Sequence, residues 1–131
     1  MSNLVNNRPI SPHLQIYKLI PTMFVSIAHR ISGVVVYFGT VVFVLWFMSL
    51  AGGVDKFNVI RYFSDFALFR VCLFLYTWAV IHHMLGGIRY LIWDSGFCFD
   101  KHIANRLAKI NLVSSVLIVI LIYLINIIYL N

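Results

Sequence analysis

Residues 31–54 read ISGVVVYFGTVVFVLWFMSLAGGV, without one charged side chain from Ile31 to Val54. A helix of about 20 residues spans the ~30 Å hydrocarbon core of a bilayer, so this run is long enough to cross. Two further charge-free runs follow, from Val71 to Ile88 and from Ile110 to Asn131. All three are continuously apolar, whereas the strands of a membrane barrel alternate. The chain is therefore predicted to be all-α, an integral membrane bundle of three transmembrane helices.

Composition supports that class. Of the 131 residues, 62% are hydrophobic and 11% charged, while a soluble domain is nearer half apolar and a quarter charged. A water-soluble chain this short has too little interior to hide so much apolar surface; lipid removes the need. The length fits one domain, 1–131. Ten Lys and Arg against four Asp give a net charge of +6. These charges flank the apolar runs, which points to membrane sidedness and not to a nucleic-acid partner. Cys72 and Cys98 have no CxxC neighbour, so each is read as lipid-facing or packing. Residues 1–20 lack the apolar core and cleavage site of a secretory signal, and an Arg-rich amphipathic presequence is not expected there either.

Pro21 suits a helix's first turn, where its missing N–H costs nothing. The helices are expected at about 21–51, 66–93 and 108–130, with Ala51-Gly52-Gly53 and Ser95-Gly96 as breaks and 52–65 as a loop. One side of the membrane then carries Arg8, Lys18, Arg30, Arg89, Lys101, Arg106 and Lys109. The other carries Lys56, Arg61 and Arg70. This asymmetry places the N-terminus on the cytoplasmic or matrix side.

Two polar clusters interrupt the apolar runs. In the first, Ser26 and Arg30 share one face of the first helix and His29 lies beside them. An arginine in a membrane helix is costly, by ~3 kcal/mol on insertion scales. It calls for a partner, a cavity or the headgroups. A hydroxyl and a guanidinium suit a ligand carbonyl or propionate; snorkelling of Arg30 is the competing explanation. In the second, His82-His83-Met84-Leu85-Gly86-Gly87-Ile88-Arg89-Tyr90 sorts into two stripes. One holds His83, Gly87, Tyr90 and Asp94; the other holds His82, Gly86, Arg89 and Trp93. Haem iron is one strong partner for a membrane histidine, and a glycine one turn away admits a macrocycle. It equally admits a neighbouring helix. A six-coordinate haem would need its other axial ligand from His29 or from a second chain.

Three blocks resemble a known family. Arg8-Pro9-Ile10-Ser11-Pro12-His13-Leu14-Gln15-Ile16-Tyr17 is similar to the N-terminal signature of the large cytochrome b anchor subunit of succinate dehydrogenase (respiratory complex II). Ser26-Ile27-Ala28-His29-Arg30-Ile31-Ser32-Gly33-Val34 resembles its second block, S-I-x-H-R-x-[ST]-G-V. The run from His83 to Asp94 resembles its third, H-x-x-x-G-x-R-H-x-x-x-D, with Tyr90 where the family often has histidine. The blocks stand in family order.

This resemblance implies that His83 is an axial ligand of haem b, a metal and cofactor site. It implies that Ser26 and Arg30 line the ubiquinone pocket, and that His29 and Arg30 lie by the haem propionates. The second axial ligand would come from a small membrane-anchor subunit. The three helices would then be part of a larger anchor bundle in a mitochondrial inner membrane or bacterial cytoplasmic membrane. A flavoprotein subunit would oxidise succinate and an iron–sulfur subunit would relay electrons. This chain would be outside the catalytic core, since it has no GxGxxG motif and no cysteine set. A fumarate reductase anchor and a haem-free structural anchor are the alternatives.

Overall fold

A computed structural model describes residues 20–130. The block from Arg8 to Tyr17, with Lys18, lies outside the described residues. The chain forms α1 (Pro21–Ala51), α2 (Val54–Ser64), α3 (Ala67–Asp94) and α4 (Lys101–Leu130). Among them α1, α3 and α4 are long and apolar enough to cross a membrane, as the charge-free runs predicted.

Local chemistry sets the ends. Ile20 is extended (φ −82°, ψ 152°) and Pro21 opens α1. Gly53 (φ +96°) turns the chain into α2. This short helix replaces most of the loop expected over 52–65. Its 11 residues escaped notice because they carry both charge and apolar bulk. Asp55 lies in its first turn and Arg61 in its last, each opposing the nearby end of the helix dipole. Gly96 (φ +84°) closes α3, and its N–H donates to the Trp93 carbonyl at 2.9 Å.

α4 begins at Lys101, well before the expected 108. Asp100 Oδ1 accepts from the main-chain N–H groups of His102 (2.8 Å) and Ile103 (3.2 Å). A side-chain acceptor there satisfies donors that a helix start leaves unpaired. The absence of charge marked the apolar span, but the cap marks the helix.

The long helices are antiparallel neighbours. Ser26 meets Tyr90 near one end of the α1–α3 pair, and Thr40 meets Tyr76 further along. A Cβ on Gly39 would strike the Tyr76 ring, so glycine permits that approach. Across α3 and α4, His82 faces Ser115 and Phe74 faces Tyr123. The ends nearest Pro21, Asp94 and Lys101 therefore lie together.

The interior is small and half polar. Val25, Ala79, Ile81, Ala108 and Val119 are buried with Ser32, His82, Arg89, Asn111 and Ser115. Large apolar side chains cover the outside of α1, α3 and α4. Water would make this arrangement unfavourable; a bilayer inverts the preference.

Candidate functional site

His29 and His83 form the centre of the α1–α3 contact. Their rings stack with centroids 4.2 Å apart and planes 10° from parallel. His29 Nε2 lies 3.1 Å from the His83 carbonyl oxygen, and His83 Nδ1 lies 3.2 Å from the His29 carbonyl oxygen. A carbonyl can only accept, so each of these nitrogens is the protonated one. Ser32 Oγ donates to the same His29 carbonyl at 2.8 Å and stands 3.4 Å from His83 Nδ1.

The tautomer follows. His83 carries its proton on Nδ1, which leaves the Nε2 lone pair free. The ring is half-buried and no hydrogen bond reaches Nε2 among the described residues. A metal-ligating imidazole has this form, one nitrogen donated to a carbonyl and the other aimed at the metal. His29 is not placed to share one iron with His83. Two parallel stacked rings direct their lone pairs within their own planes and not toward a common atom.

Two glycines make the stack possible. A Cβ on Gly86 would collide with the His29 ring, and a Cβ on Gly33 would stand 3.0 Å from His83 Cε1. Each histidine thus sits over the other helix's glycine. The space beside Gly86 is taken by α1. Gly87 is different: nothing lies within 4 Å of where its Cβ would be. It is one turn from His83 on the same stripe, so it is the glycine with room for a flat ligand.

His82 points the other way. It is 0% exposed, its Nδ1 is 3.4 Å from Ser115 Oγ, and its ring stacks on Trp78. Within this chain the interior histidine is therefore His82, and His83 faces the α1–α3 edge. Arg89 follows His82. It is 3% exposed, its guanidinium carbon lies 4.9 Å from the Trp93 ring, and its three nitrogens lack partners among the described residues. Six residues separate it from His83, which turns it about 120° around the helix, so it does not share His83's face.

Ser26 and Arg30 are on one side of α1, and no hydrogen bond joins them among the described residues. Ser26 Oγ lies 3.3 Å from the Tyr90 hydroxyl, whose ring meets His29 edge-on at 5.2 Å. Arg30 is exposed and makes no hydrogen bond among the described residues. Sequence reasoning passed over Asn111 and Ser115 of α4. Ala108, Asn111, Ser115 and Val119 are buried at helical spacing. Two polar residues on one face of an apolar run were the available signal.

The geometry defines a bundle of helices long and apolar enough to cross a membrane, with paired histidines at one end. The profile of the succinate dehydrogenase/fumarate reductase transmembrane subunit matches residues 5–122, and the chain belongs to that family. The chain is 34% identical over 122 residues to the succinate dehydrogenase cytochrome b556 subunit of Rickettsia bellii (strain RML369-C), covering 92% of this chain and 94% of that one. It is 34% identical over 104 residues to the cytochrome b560 subunit of Reclinomonas americana, covering 75% and 72%. With the cytochrome b556 subunit of Paracoccus denitrificans it shares 29% over 119 residues, 88% of each chain.

Proposed function

We propose that this chain is the large membrane anchor of a succinate:ubiquinone oxidoreductase. It supplies one axial ligand to haem b through His83 and lines the ubiquinone-reduction site with Ser26 and Arg30. The observation that carries the reading is the state of His83: Nδ1 is tied to the His29 carbonyl at 3.2 Å and no hydrogen bond reaches Nε2 among the described residues, while nothing lies within 4 Å of where a Cβ on Gly87, one turn along α3, would stand. When bound, the haem offers a one-electron centre within the membrane. His29 fixes the tautomer and angle of His83 through the carbonyl and the ring stack. Since His29 is not placed to share one iron with His83, the other ligand would come from a small membrane-anchor subunit.

The assignment of direction rests on the relatives, which are named as succinate dehydrogenase subunits. The flavoprotein and iron–sulfur subunits dock where α1 begins and α3 ends. That face is the matrix or cytoplasmic side of a mitochondrial inner or bacterial cytoplasmic membrane. Ubiquinone binds near the same end. The Ser26 hydroxyl donates to a quinone carbonyl, and the fixed charge of Arg30 stabilises the negative charge that grows on reduction. Arg30 is always protonated, so it holds charge and does not deliver protons.

The test is the reduced-minus-oxidised spectrum of the purified four-subunit complex. His83→Ala removes the low-spin six-coordinate signature, and His82→Gln retains it. The reverse pattern would sink the assignment.

A further inference from the structure

The reduction of a quinone to a quinol takes up two electrons and two protons. Neither residue assigned to the headgroup is a sufficient proton source. Arg30 never releases its proton, and an aliphatic hydroxyl can pass a proton on only if another donor refills it. Ser26 has such a neighbour. The Tyr90 hydroxyl lies 3.3 Å from Ser26 Oγ, across the α1–α3 contact. That separation is long for a hydroxyl pair, and hydrogen bonds at reacting groups commonly shorten once substrate is bound.

We propose that Tyr90 is a positioning residue of the quinone site, which orients the Ser26 hydroxyl and refills its proton. This rests on the assignment of Ser26 to the quinone above. When the phenol donates to Ser26 Oγ, the Ser26 hydrogen is free to point away toward a carbonyl. With the roles reversed, Ser26 is spent on the phenol and cannot donate to quinone. The phenol is the more acidic hydroxyl, so the first orientation is the favoured one. The Tyr90 ring is held from two sides, edge-on to His29 at 5.2 Å and to Trp93 at 5.4 Å. The oxygen is therefore fixed relative to the histidine stack. Tyr90 is also 38% exposed, so this chain does not close off its outer side.

The step balances as follows. As two electrons reach the quinone from the iron–sulfur subunit, a carbonyl oxygen becomes basic. The O–H bond of Ser26 breaks and a new O–H bond forms on that oxygen. The Tyr90 proton moves to Ser26, and a proton drawn from the aqueous phase and carried by water restores the phenol. One of the two protons takes this route; the other enters at the second carbonyl.

The experiment uses the intact four-subunit complex carrying Tyr90→Phe, with Ser26→Ala as its companion. Tyr90→Phe keeps the ring and both edge contacts while removing only the hydroxyl. The expected result is a fall in kcat for ubiquinone reduction of about tenfold, the size of one neutral hydrogen bond, with KM within about twofold of the parent. The solvent deuterium isotope effect on kcat should rise, since proton delivery then limits the rate; a purely structural role would not move it. Succinate oxidation by a dye, carried out by the soluble subunits, reports whether the assembly is intact. Parent-like kcat and isotope effect in Tyr90→Phe, with quinone reduction collapsed in Ser26→Ala, overturn the role of Tyr90 alone. Parent-like quinone reduction in Ser26→Ala overturns the quinone assignment on which it rests. Equal losses of dye and quinone activity in Tyr90→Phe would show a structural residue and also overturn the proposal.

Discussion

The imidazoles of His29 and His83 lie face to face, 4.2 Å apart, and each donates to the other's main-chain carbonyl. The contact is reciprocal because α1 and α3 run antiparallel and each offers a glycine, Gly33 and Gly86, beneath the other's ring. Two adjacent glycines of α3 consequently have different tasks. Gly86→Leu should drive a side chain into His29 and destabilise the α1–α3 pair by roughly 1–3 kcal/mol, the usual range for overpacking. Gly87→Leu meets open space, so the complex should assemble but hold less haem. Complex yield and the haem-to-flavin ratio separate these outcomes. The same defect in both variants would mean that the flank of Gly87 holds no macrocycle.

The proposed quinone site makes Ser26→Ala and Arg30→Leu selective defects. Removing a donor aimed at developing charge costs on the order of a hundredfold in turnover. Ubiquinone reduction should fall by about that factor in either variant while dye-linked succinate oxidation persists. Parallel loss of the two activities would show that these residues serve assembly, with quinone bound elsewhere.

The positive-inside reading places α2 on the face opposite the N-terminus. A cysteine at exposed Asn58 should label from the outer face, and one at exposed Lys101 from the inner face. Lys101 serves better than Asn105, which is half-buried with an unpartnered buried carbonyl oxygen. Labelling of both from one side would refute the topology.

Asp100→Ala should fray the start of α4. Loss of such a cap costs about 1 kcal/mol, and the N–H groups of His102 and Ile103 lose their acceptor. Faster hydrogen exchange at those two amides, with the middle of α4 unchanged, is the expected readout. Unchanged protection would show that packing and not the carboxylate holds the first turn.

The three spans were legible because lipid imposes length and apolarity on any crossing helix, and the runs from Ile31, Val71 and Ile110 satisfy both. Pro21 and Gly96 likewise announced their ends. α2 and the first two turns of α4 were not legible by the same rule. Tyr62 and Asp100 lie in segments whose polarity resembles that of a loop, and only a hydrogen-bonding argument recovers Asp100 as a cap. In the site, the stripes were readable but their partners were not. Helical spacing separates His82 from His83 by about 100°; it does not say which face meets α4. Nor does it say that Gly86 is filled by His29 while Gly87 stays open. Those facts belong to the registers between helices, which no periodicity within one helix contains.

α1 has 31 residues, and at 1.5 Å per residue it is about 46 Å long, well beyond a hydrocarbon core of ~30 Å. Ser26 lies only five residues past Pro21, so the excess length leaves Ser26 and Tyr90 near the water boundary and not at mid-depth. In the proposed assignment electrons and protons both come to the quinone from that one boundary. The headgroup moves up to meet them while its tail stays in lipid. Quinone reduction of that kind separates no charge across the bilayer. It should proceed at the same rate in energised and de-energised vesicles, and a membrane voltage would neither drive it nor hold it back.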